Sequence, residues 1–188
     1  MMWKMVLAAA FLASSSSAWA AQCVDVQVPD RVQLQGAVLP LNGLAVRRAT
    51  ILKLKVYVAA LYVPRRTADP ATIIQSSRPF ELDLSFVRGV GAKTIRDAFD
   101  EGFAKSSEGS AGLKPRIATL DAWIEDIRAG ERMSFIGIPG RGVEFRFAGR
   151  PKGILAGEDF SRALLAIWLG EHPPNPELKT GLLGGACS

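Results

Sequence analysis

Two spacings of apolar positions alternate along the chain, and the order in which they come predicts its architecture. Phe80, Leu82, Leu84 and Phe86 alternate with Glu81, Asp83 and Ser85. That period of two predicts a strand with one buried and one polar face. Met133 to Ile138 and then Val143, Phe145 and Phe147 flank Pro139-Gly140-Arg141-Gly142, which predicts two strands joined by a Gly/Pro turn. Val24, Val26 and Val28 mark a short strand ended by Pro29, and Val32, Leu34 and Val38 an irregular one over Arg31 to Pro40. A longer β-rich stretch runs from Leu41 to Val63. It is predicted to bend into a hairpin near Arg48 to Leu52 and to stop at Pro64.

Three segments switch to helical spacing. Ile95, Ala98, Phe99 and Phe103 form one apolar stripe, with Thr94 placed to start the helix and Asp97 three residues on. Ile117, Leu120, Trp123, Ile124 and Ile127 form a second, with Gly130 as its expected C-terminal cap. Phe160, Ala163, Leu164, Ile167 and Trp168 form a third, closed by Gly170 and by Pro173-Pro174. The small, polar stretch from Ser106 to Gly112 reads as a connection. Strands early, helices in the middle, then a hairpin and a final helix describe an α+β protein, an antiparallel sheet with helices packed on one face. No internal repeat and no second domain boundary appear.

The first twenty residues stand apart from that pattern. Lys4 gives a positive start, Met5 to Ala13 a short apolar run, and Ala18-Trp19-Ala20 a small-x-small cleavage pattern. This predicts a secretory signal peptide over residues 1–20, a single domain over 21–188, and a secreted or periplasmic protein. A membrane anchor would need about 20 apolar residues, and Ser14 to Ser17 cut the run short, so no membrane span is expected after cleavage. Cys23 and Cys187 then lie at the two ends of the mature chain. In an oxidising compartment that placement favours a disulfide, a structural staple rather than a catalytic pair.

At 188 residues, with 48% hydrophobic and 22% charged, the chain has the composition of one globular domain, not of a disordered tail or a disulfide-dense mini-protein. One histidine and two cysteines are too few for a zinc or iron–sulfur site, so neither a metal nor a cofactor is expected. His172 has no Asp or Cys near it in sequence and is assigned no chemistry. The formal charge of +5 falls by one unit when Lys4 leaves. Basic residues come in short runs without interleaved aromatics, which argues against nucleic acid as a partner. Mild positive charge points instead to small anionic ligands or a membrane surface.

Several pieces, in order, resemble the chalcone isomerase-like family: Gly43-Leu-Ala-Val-Arg47, Lys55-Val-Tyr57-Val-Ala-Ala-Leu-Tyr62, the Phe80 to Phe86 strand running into the Thr94 helix, and Phe160-Ser161-Arg-Ala163 with Trp168-Leu-Gly170. The resemblance implies an open-faced β-sandwich, a large antiparallel sheet with a helical layer on one face. It also implies one of two occupations. Some members close a chalcone to a flavanone; others bind fatty acids without catalysis.

Carried over residue by residue, the resemblance places Arg47 on the family's pocket arginine, which meets an oxyanion in the enzymes and a carboxylate in the binders. A guanidinium suits both, being a permanently charged fork of donors. Arg48 beside it leaves the register open. Tyr57 falls where the enzymes carry threonine and the binders a tyrosine that shares the carboxylate with the arginine. Strict alternation sets Tyr57 on the face of Lys53 and Lys55, opposite Leu54, Val56 and Val58, unless a bulge re-aims it. Thr94 and Ser161 are further ligand candidates, with helix capping and a solvent-facing helix position as their plainer readings. The tyrosine and asparagine that the enzymes use in and after the Thr94 helix have no counterpart from Phe80 to Ile127.

The reading that results is a bacterial secreted or periplasmic member of that family, a non-catalytic binder of a fatty acid or similar amphiphilic anion. The alternative is an isomerase, an intramolecular lyase using Arg47 on an unsaturated carbonyl compound. The third is an envelope protein-interaction module.

Overall fold

The structure, a computed structural model, describes residues 20–49, 52–106 and 110–187. The leader expected over 1–20 therefore lies outside the described residues, apart from Ala20. Strands β1 (Ala20–Cys23) and β2 (Val26–Pro29) form a small hairpin of their own. The main sheet is a seven-stranded antiparallel meander: β3 (Arg31–Leu34), β4 (Ala37–Ala49), β5 (Leu54–Tyr62), β6 (Phe80–Phe86), β7 (Arg132–Ile138), β8 (Gly142–Phe147) and β9 (Arg150–Ala156), each paired with the next. Helix α1 (Pro70–Ile74) links β5 to β6, α2 (Ala92–Ser106) and α3 (Lys114–Trp123) link β6 to β7, and α4 (Glu158–Leu169) and α5 (Pro176–Leu182) follow β9. This is the α+β arrangement expected from the sequence.

Several boundaries differ, each for a local reason. The valine-alternating segment is not one strand, because Val24 takes φ 55° and turns the chain between β1 and β2. The irregular strand over Arg31 to Pro40 breaks at Gln35 and Gly36, with φ 49° and 81°, the two left-handed residues of a tight hairpin turn. Helix α2 begins at Ala92, not at Thr94, and its first free N–H is taken by Asp126 Oδ1 at 2.8 Å. Asp97 does not complete a capping box; it pairs with Lys93 one turn back. Helix α3 ends at Trp123, because Ile124 is extended and Ile127 instead bridges to Val90. Gly130 therefore caps no helix.

Both faces of the sheet are covered. On one, Ala45, Leu61, Leu84, Phe135 and Phe145 meet Phe99 and Phe103 of α2, Phe160, Leu164 and Trp168 of α4, and Leu178 and Leu182 of α5 in one continuous core. On the other, Cys23 and Val28 of the small hairpin cover Leu44, Val46, Val58, Ala60 and Tyr62. Helix α5 lies close on β4: a methyl group at Gly43 would overlap the carbonyl oxygens of Gly181 and Leu182, and Asn42 Nδ2 donates to the Leu182 carbonyl at 2.8 Å. Beyond α5 the chain reaches β1, where Cys187 and Cys23 form a disulfide with Cα atoms 5.9 Å apart.

The polar face of β6 is less solvated than its alternation implies. Asp83 is 3% exposed and accepts from Arg132 Nη1 at 3.2 Å. Glu81 sits two positions along the same strand face. Burial, and then the neighbouring Asp83 carboxyl, push its pKa up to about 7, against the pull of Arg146 and Arg132. The folded chain thus holds the Glu81 proton more tightly than the unfolded chain does. From about pH 4.5 to about pH 7 the unfolded state binds fewer protons, so stability falls as pH rises. Glu81 is partly solvated, and after screening the loss amounts to about 1–2 kcal/mol. Urea unfolding at pH 5 and pH 8 should show the drop, and Glu81→Gln should flatten it. A Glu81→Gln protein with the wild-type pH profile would put the titration elsewhere.

Candidate functional site

Arg47 on β4 and Tyr57 on β5 are direct cross-strand partners. Their meeting depends on an irregularity in the hairpin. Arg48 pairs with Lys55 while Arg47 pairs with Tyr57, so Val56 is the extra residue of a bulge. Past the bulge, Tyr57 joins Ala59 and Leu61 on the face toward the helices, where Ala45 lies on β4. The face that strict alternation assigns to Tyr57, beside Lys53 and Lys55, is corrected in this way. It also settles the register on β4: alternation from Ala45 brings Arg47, not Arg48, to the helical side.

Each of the two side chains is held by a residue distant in sequence. Arg47 Nη1 donates to Asn175 Oδ1 at 2.8 Å and to the Arg48 carbonyl. Asn175 Oδ1 also accepts from the Arg48 N–H at 3.3 Å. Asn175 precedes α5 as its N-cap residue, yet its side chain makes no capping bond there; it serves the arginine instead. The Tyr57 hydroxyl accepts from Trp168 Nε1 at 2.9 Å, and its ring lies 5.4 Å from that of Phe86. Trp168 in turn packs against Phe99 and Phe135, each with ring centroids 6.0 Å away. Burial raises the pKa of Tyr57, with the Trp168 N–H and the Arg47 charge pulling the other way. The phenol therefore keeps its proton at neutral pH.

This arrangement presents donors. An indole N–H can only donate, so the bond to Trp168 uses a lone pair of Tyr57 and leaves its O–H free to point at an acceptor. Both hydrogen bonds of Arg47 among the described residues come from Nη1. Nε and Nη2 of the fork remain for an anion. A carboxylate, with two acceptor oxygens, matches one phenol O–H and one guanidinium edge. The walls behind are aromatic and apolar.

The structure brings Arg47 and Tyr57 together and does not add the other two candidates. Thr94 is exposed on the first turn of α2. Ser161 Oγ donates to the Gly157 carbonyl at 3.4 Å, within its own helix turn. No hydrogen bond joins either to the pair among the described residues. Trp168 and Asn175 take their places. Sequence reading assigns Trp168 to a core stripe and does not single out Asn175 at all. The Asn-Pro step at 175–176 is a helix-start signal, and it is the one local mark that could have drawn attention there. A separate cleft of about 280 Å³ opens between α2 and α3, lined by Asp100, Phe103, Lys114, Ile117 and Asp121 among others. Burial, then Asp100, push Asp121 up to about 6. The described residues contain no cluster able to hold a metal ion.

A curled antiparallel sheet under a helical layer, with an arginine–tyrosine pair turned toward that layer, defines the class of α+β domain to which the chain is assigned. The chain belongs to the chalcone isomerase-like family, whose pattern matches residues 20–184. Among solved structures it is similar to a fatty-acid binding protein of Arabidopsis thaliana, with a TM-score of 0.69 and 15% sequence identity, covering 85% of this chain and 92% of that one. At that identity the likeness concerns the fold. A comparison with curated protein sequences finds no match.

Proposed function

We propose that the protein binds a fatty acid or similar amphiphilic anion without transforming it, outside the cytoplasm. The observation that carries this reading is the cross-strand Arg47–Tyr57 pair, with Trp168 donating to the phenol oxygen so that the Tyr57 O–H is left to donate. Arg47 and Tyr57 hold the carboxylate, and the alkyl chain runs from them along the adjoining apolar surface. The fold shared with a fatty-acid binding protein supports the ligand class. The disulfide between Cys23 and Cys187 supports an oxidising compartment, secreted or periplasmic. Among the described residues no helix is long and apolar enough to cross a membrane.

Native mass spectrometry of the purified protein, followed by extraction of whatever it carries, tests the proposal. The expected result is one fatty acid or related anion per chain, on a polypeptide lacking residues 1–20. A protein that arrives empty and ignores added palmitate would overturn the binder reading. The weight would then move to chemistry on an unsaturated carbonyl compound.

A further inference from the structure

The hairpin that carries Arg47 and Tyr57 continues past them into a tip unlike the rest of the surface. Leu52 is 78% exposed and Leu54 39%, the two exposed leucines among the described residues. Lys53 and Lys55 alternate with them, and Arg48 lies opposite Lys55. None of these three cations joins an ion pair among the described residues. Arg88 is exposed at the same end of the sheet, since the Val87 N–H bonds to the Val56 carbonyl at 3.0 Å. The imbalance extends along the chain. From Arg31 to Ala68 there are seven Lys and Arg and no Asp or Glu.

Folding does not call for such a tip. A hairpin is turned most cheaply by Asn, Gly or Asp, and an exposed leucine forfeits its burial free energy. Aliphatic side chains at the extremity with unneutralised cations around them match one partner chemistry, an anionic lipid bilayer. Apolar groups enter the boundary between head groups and acyl chains, and lysine and arginine stay at the level of the phosphates. We propose that the tip docks the protein on an anionic lipid surface, Leu52 and Leu54 entering the interface while Arg48, Lys53 and Lys55 meet the lipid phosphates. The Arg47–Tyr57 pair, next in register to Arg48 and Lys55, then lies just above the lipid plane. The docking stands on its own observations, whatever Arg47 holds.

Co-sedimentation of the full mature chain with vesicles of phosphatidylcholine, with or without phosphatidylglycerol, tests this. The protein should bind the mixed vesicles, release them as salt rises, and leave pure phosphatidylcholine alone. Leu52→Asp and the double change Lys53→Glu/Lys55→Glu should each lower binding at least about tenfold. Arg65→Glu/Arg66→Glu, a double reversal of the same sign at the far end of β5, should leave it nearly unchanged. All of these side chains are exposed, so each variant should fold, and Leu52→Asp should keep near wild-type affinity for dissolved palmitate. That control separates a failure of docking from a failure of the ligand reading. Wild-type protein that ignores anionic vesicles overturns the proposal, as does a Leu52→Asp protein that binds like wild type. An equal loss from the Arg65/Arg66 variant overturns it too, since attraction would then come from overall charge. So does a tip whose alteration dissociates an oligomer instead of releasing lipid.

Discussion

Changing Cys187 to serine should lower stability by about 4–5 kcal/mol, the largest single loss expected for this chain. The bond joins residues separated by 164 positions, so it closes nearly the whole domain into one loop. On the chain-entropy account, a crosslink stabilises chiefly by restricting the unfolded ensemble, and more so for a longer loop. Cys187 is the better position to change because it is exposed, whereas Cys23 is 2% exposed and its replacement would bury a hydroxyl. Urea unfolding of wild type and Cys187→Ser, and of wild type with a reductant, measures the effect. Wild type in reductant should fall to the variant's midpoint, and reductant should not move the variant further. A loss under about 1 kcal/mol would mean that close packing holds the C-terminal segment alone, through Leu178, Leu182 and the approach of Gly181 to Ala45.

The parts of the fold written locally were legible; the parts made by distant contacts were not. The β6 strand reads off its period of two because its apolar residues all face the same helices. The β7–β8 hairpin reads off its Gly/Pro turn. Strand β9 escapes because Arg150, Pro151, Lys152 and Gly153 carry no alternation, and Leu155 is its one buried residue. Its Gly153 has a tertiary cause, since a Cβ there would stand 2.6 Å from the Trp123 ring. Helix α5 escapes because it is seven residues long, follows two prolines and contains a glycine that serves contact with β4 rather than helix propensity. In the candidate site, a hairpin bending near Arg48 to Leu52 sets Arg47 and Tyr57 on its two arms, but their common face depends on the Val56 bulge. Asn175 and Trp168 lie 128 and 111 positions from the residues they bond. Contacts at that separation leave no periodic trace in a single sequence.

Replacing Arg47 by alanine should weaken palmitate binding about 30- to 150-fold, the loss of a charged hydrogen bond worth about 2–3 kcal/mol. Arg47→Lys should fall between the two, because an ammonium keeps the charge but lacks the planar fork that meets a carboxylate edge-on. Tyr57→Phe should cost about five- to tenfold, since it removes one neutral donor and leaves the Trp168 N–H without its acceptor. Titration calorimetry, with urea unfolding on the same samples, separates two roles for the guanidinium. As a ligand-holding group, Arg47 should lose affinity on truncation while stability changes little, because its bond to Asn175 is only partly buried. As a strut that fixes Asn175 and the start of α5, it should lose stability and leave affinity intact. The second outcome would sink the head-group assignment and leave Arg47 as a tie between β4 and the C-terminal helix. The first would make the Val56 bulge part of the binding site, since without it Tyr57 would not face the arginine's ligand.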